Sequence, residues 1–156
     1  MTKIFTLLFL LSLTSCGTDT GNPGQDNINN DMGTIIADTP SEEMIPTLVN
    51  SICERMDTCH NQTSEDCKPS IFNLENIDTE IGIDKNSYKS LHEIHSAVSQ
   101  GDIINDPITF NNCLSDIQQL SCDAPSVQNA FIKGSSNEYD GVANMLPKSC
   151  EGSFNE

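Results

Sequence analysis

Ten almost wholly apolar residues, Ile4 to Leu13, stand near the head of this chain, and a polar tract runs from Gly17 to about Pro40. Beyond Pro40 the pattern turns helical. Ile45, Leu48, Val49, Ile52, Met56 and Cys59 recur at three- and four-residue spacing, which predicts an amphipathic helix. Thr39-Pro40-Ser41-Glu42 reads as its capping box, with proline at the first helical position and Pro46 as a kink or the true start. His60 to Ser64 is a turn, and Ser64-Glu65-Asp66 opens a short helix that Pro69 disturbs. Asn73 to Asn86 is acidic, holds Gly82 and reads as a loop. Ser87 is expected to cap a helix with the stripe Tyr88, Leu91, Ile94, His95 and Val98, ended by Gly101.

Asp106-Pro107 opens the clearest helix, with Phe110, Cys113, Leu114, Ile117 and Leu120 on one face. Ala124-Pro125 restarts a short helix through Phe131, and Gly134 to Asn137 is a loop. Val142 to Leu146 gives a last turn before Pro147 and Cys150. No segment reads as a strand, and Ile103-Ile104 is too short to count. The expected fold class is all-α: a small disulfide-stapled helical domain over 41–151, after an acidic disordered tether over 16–40 and before a tail over 152–156.

The tether is expected from composition. Its Gly, Asn, Asp and Thr residues cannot bury enough surface to offset the entropy of ordering. About 24 flexible residues reach roughly 27 Å. Asp26, Asn27, Asn29, Asn30 and Asp31 suggest a calcium loop, but counting from Asn27 puts Met32 where the template needs glycine. Across the whole chain, 23 acidic residues face 7 basic ones, a formal net charge of −16. Nucleic acid is excluded as a partner, because phosphate binding needs clustered Lys and Arg.

Seven cysteines are present. Cys16 follows the apolar run. The other six are Cys53, Cys59, Cys67, Cys113, Cys122 and Cys150, an even number that reads as three disulfides in an oxidising compartment. No C-x2-C pair suggests zinc or thioredoxin-like redox chemistry. Helix rise separates Cys53 from Cys59 and Cys113 from Cys122 too far to bridge, which leaves about ten of roughly fifteen pairings. The arrangement expected here is Cys53–Cys113 between two helices, Cys59–Cys67 across a turn and Cys122–Cys150 closing the C-terminal segment.

Leu13-Thr14-Ser15-Cys16 resembles the lipobox of bacterial lipoproteins: an aliphatic residue, two small residues and the cysteine. The resemblance implies a signal peptide over 1–15 that is removed, and a diacylglyceryl thioether on Cys16. The apolar run is about half the ~20 residues of a membrane span. Two or more acyl chains would hold the protein at its leaflet, so its membrane partner is engaged through Cys16 alone. Gly17, where inner-membrane retention in enterobacterial lipoproteins uses Asp, leans towards the outer membrane. The C-x5-C-x7-C opening, the Cys-Leu-x7-Cys helix and the Leu-Pro-x2-Cys ending resemble small cysteine-rich lipoproteins of predatory and social Gram-negative bacteria, over Ile45 to Phe154. That group carries no established activity.

Candidate chemistry is thin. His92-Glu93-Ile94-His95 misses the zinc-protease spacing by one, although histidines three apart share a helix face. There is no G-x-S-x-G elbow and no phosphate loop. Asn61-Gln62-Thr63 matches a glycosylation sequon by coincidence. The leading expectation is a non-enzymatic envelope lipoprotein that presents a rigid helical domain for protein contact, with no cofactor. The alternative is a calcium or small-ligand binder using Asp78, Glu80 and Asp84. An enzyme built on His92, Glu93 and His95 is the third.

Overall fold

The computed structural model describes residues 39–84 and 87–155. Its centre is α1, Ser41–His60. Met44, Ile45, Leu48, Val49, Ile52, Cys53 and Met56 are all buried, a band wider than one helical stripe. The width follows from its neighbours: α2 (Ser64–Phe72), α3 (Leu91–Gln100) and α4 (Pro107–Gln119) all pack on it. A helix enclosed on several sides must be apolar on several sides. Pro40 occupies the N-cap slot and no side chain caps this end, so the capping box expected at Thr39 does not form. Pro46 lies inside the continuous helix. It gives up one backbone bond, to the Glu42 carbonyl, and burial of Met44, Ile45, Leu48 and Val49 on both sides of it carries the helix through. Asn61 ends α1 in the left-handed region, its N–H turned back to the carbonyls of Met56 and Asp57.

Capping residues set the other helices. Thr63 caps α2: its hydroxyl accepts from Asp66 N–H at 3.4 Å and donates to the Asp66 carboxylate at 2.7 Å. The cap of α3 is Ser90, not Ser87. Ser90 Oγ accepts from Glu93 N–H, and the Glu93 carboxylate accepts from Lys89 N–H at 2.8 Å. That reciprocal pair needs an acid three residues after the serine, which Ser90 has and Ser87 lacks. Gly101 closes α3 at φ +81°. Asp106 caps α4 as expected, accepting from Ile108 and Thr109 N–H at 3.0 and 3.2 Å. Those bonds, Thr109's foremost, hold its carboxyl below the usual carboxylate range, against a smaller opposing effect of burial. The helix expected through Phe131 is shorter: α5 spans Pro125–Gln128.

Residues 152–155, expected as part of a tail, are packed into the domain. Ile104–Asn105 (β1) pairs antiparallel with Phe154–Asn155 (β2). Phe154 is fully buried and meets Phe110 edge-on, with ring centroids 5.8 Å apart. Gly82, at φ +96°, lies so close to this segment that a Cβ would overlap the backbone nitrogen of Gly152. Residues 152–155 therefore close the core beside α4 and the loop after α2.

Three disulfides brace the helices, in none of the expected pairings. Cys53 joins Cys67, Cys59 joins Cys122, and Cys113 joins Cys150. The expected Cys59–Cys67 bridge fails on direction. Six residues turn Cys59 about 120° round the helix from Cys53, and Cys53 takes the face that meets α2. Cys59 faces the chain leaving α4, where Cys122 waits. His60 strengthens that junction, its Nε2–H donating to the Val127 carbonyl at 2.8 Å. Cys113 points from α4 into the turn Lys148–Cys150 packed on it, which takes Cys150 away from Cys122. The three bridges interleave along the sequence, so no one of them closes an independent loop.

Candidate functional site

An open cleft of about 1050 Å³ lies between two irregular segments. The first wall leaves α2 at Asn73 and runs into the 3-10 turn Thr79–Ile81. Leu74, Ile77 and Ile81 sink into the core and fix its path. Glu75, Asn76 and Thr79 are left outward, with Glu80 half-buried. The second wall runs from Ser135 into the 3-10 turn Ala143–Met145. Phe131, Tyr139, Val142 and Met145 root it. Ile132 N–H donates to the Glu138 carbonyl at 2.9 Å, and Gly134 N–H to the Glu138 carboxylate at 2.6 Å. Gly141 sits against the exit of α5, where a Cβ would overlap the Asn129 carbonyl.

Glu75, Glu80, Glu138 and Asp140 contribute carboxylates to these walls, where Asp78 is buried, and four asparagines add amides. No Lys, Arg or His is among the described residues of the lining. Tyr139 stands with its ring buried against Phe131, centroids 5.1 Å apart. Burial pushes its phenol above the ordinary value, and the charges of Glu138 and Asp66 push it the same way. The cleft is therefore a polar, negatively charged depression on a stapled frame.

The residues expected to act do not gather into one site. Cys16 lies outside the described residues, as do the signal segment and nearly all of the tether. Asp78, Glu80 and Asp84 are separated by burial: Asp78 turns inward at 4% exposure, while Asp84 is exposed and outside the cleft. Among the described residues, no three His, Cys, Asp or Glu side chains are placed to hold a metal ion. His92 is exposed on α3, whereas His95 packs its ring against Phe72 at 6.4 Å. Neither lines the cleft. Sequence reasoning did not single out Glu75, Glu138, Tyr139 or Asp140. Their signal was two acid- and amide-rich loops, 73–80 and 135–144, which nothing in the sequence pairs.

Large exposed apolar side chains are few among the described residues. Ile104 and Ile108, at 68% and 64%, flank the cap of α4, and Ile132 stands near the base of the second wall. No helix among the described residues is long and apolar enough to cross a membrane. No protein-family model, curated protein or solved structure matches this chain. The class that the fold itself defines is a small, all-α, disulfide-stapled domain.

Proposed function

We propose that this chain is a non-enzymatic envelope lipoprotein whose stapled domain makes contact with a partner protein through the acidic cleft. On this reading residues 1–15 are cleaved and Cys16 carries the lipid. Residues 16–40 tether the domain to the outer membrane. The observation that carries the contact role is the cleft itself: open, polar, and walled by two loops rooted through buried side chains in a disulfide-braced core. A surface fixed before binding loses little conformational entropy on association. The leader and Cys16 supply the address.

Crosslinking of intact envelopes from the native host tests the reading. A photo-crosslinker placed at Ser136, on the second wall, should trap a specific protein. The same group at His92 on α3 should not. Equal capture from both positions, or from neither, contradicts the proposal.

A further inference from the structure

The protein-contact reading leaves the chemistry of the partner open, and three observations on the cleft narrow it. The first is Tyr139. The side chain is 8% exposed, yet its hydroxyl makes no hydrogen bond among the described residues and is not enclosed by protein. A phenol held by a packed ring and left unpaired at a cleft wall is a pre-positioned donor and acceptor. Its ring is fixed against Phe131, so the hydroxyl can meet a ligand without first being ordered.

The second observation is the spread of charge. Glu75 and Glu80 lie on one wall, Glu138 and Asp140 on the other, and they do not converge on a point that a single ion could occupy. A hard cation such as calcium needs several oxygens around one centre. Charges distributed along an open cleft instead match separate positive groups on one extended molecule. The third is the buried face of the Tyr139 ring, which leaves no exposed aromatic plane among the described residues of the cleft for a sugar or base to stack on. Recognition here is by charge and hydrogen bonds.

We infer that the cleft binds an extended basic segment of the partner, with Lys or Arg side chains reaching the carboxylates of both walls and a polar group of the segment meeting the Tyr139 hydroxyl. This rests on the protein-contact reading and can fail without it. Such a segment relieves the mutual repulsion of the wall carboxylates, which water and salt only partly screen.

The experiment measures fluorescence anisotropy of a labelled peptide of alternating lysine and serine, titrated with the oxidised domain. The expected result is saturable one-to-one binding that weakens steeply with added salt. The pair Glu75→Gln and Glu138→Gln should weaken it about tenfold. Tyr139→Phe, which keeps the ring on Phe131, should weaken it about threefold. The control pair Glu54→Gln and Asp57→Asn, exposed on α1, removes the same charge elsewhere and should leave affinity within about twofold. The inference is overturned if the control weakens binding as much as the cleft pair, if Tyr139→Phe binds like the parent, or if equimolar spermine displaces the peptide. Absence of peptide binding beside specific envelope capture at Ser136 would refute the basic segment and leave the contact reading standing.

Discussion

Replacing Cys59 and Cys122 together by alanine isolates what a staple does in this fold. The bridge spans 63 residues. Loop-closure entropy released to the unfolded chain then costs about 4 kcal/mol at 25 °C. The neighbouring bridges do not shorten this loop, because neither offers a materially shorter path between the two cysteines. Packing contributes little: both residues are only half-buried, and losing their sulfurs removes under about 1 kcal/mol of apolar burial. Chain entropy therefore outweighs packing at this bridge. For a domain of this size about 4 °C of melting temperature accompanies each kcal/mol, so the double variant should melt about 15 °C lower. Urea unfolding followed by helical circular dichroism, with linear extrapolation to water, gives the free energy directly. A loss below about 1 kcal/mol, with the helical signal intact, would refute the claim that this bridge acts by restraining the unfolded chain.

Other consequences are open to simple tests. Mild reduction followed by alkylation and mass spectrometry should label Cys59 and Cys122 first, because the other four cysteines are essentially buried; early labelling of Cys53 or Cys113 would contradict the burial. Phe154→Ala should cost about 3–5 kcal/mol in urea unfolding, where a true tail residue would cost almost nothing. Gly82→Ala combines a left-handed backbone with overlap on Gly152 and should lose at least about 2 kcal/mol, read as a lower unfolding midpoint. Asp106 has its carboxyl lowered in the fold, so its stabilising effect is present above the usual carboxylate range and is lost as pH falls through the folded value. Asp106→Asn should flatten the acid limb of melting temperature against pH, and an unchanged limb would remove Asp106 from the account.

Local signals in this sequence proved readable where one short-range interaction decides the outcome. Asp106-Pro107 marked the start of α4 because an aspartate cap and a proline at the first position both satisfy the same exposed N–H groups. Gly101 ended α3 for a similarly local reason. The start of α3 was misplaced because Ser87 was favoured over Ser90, although only Ser90 is followed by Glu93 at the right spacing. Pro46 misled in the opposite sense: its local cost is real, and burial from three neighbouring helices outweighs it.

The disulfides show where local reasoning stops. Helix rise ruled out Cys53–Cys59 and Cys113–Cys122, and the structure contains neither. Choosing among the remaining pairings required knowing which face of α1 meets α2 and which meets the chain after α4. That is a property of packing rather than of spacing. The buried Phe154 was missed for the same reason, since a single aromatic near a chain end has no periodicity to read. The cleft is the extreme case. Residues 73–80 and 135–144 are far apart in sequence, and each alone looks like a solvated loop.

The lipid proposed on Cys16 and the three disulfides that brace the helical domain can be tested together. Mass spectrometry of the unreduced protein, taken from the membrane fraction of its native host, tests both at once. The expected result is a first residue that is Cys16 bearing a lipid mass, together with peptides linked Cys53–Cys67, Cys59–Cys122 and Cys113–Cys150. A chain that retains Met1, with its domain cysteines as free thiols, would contradict it.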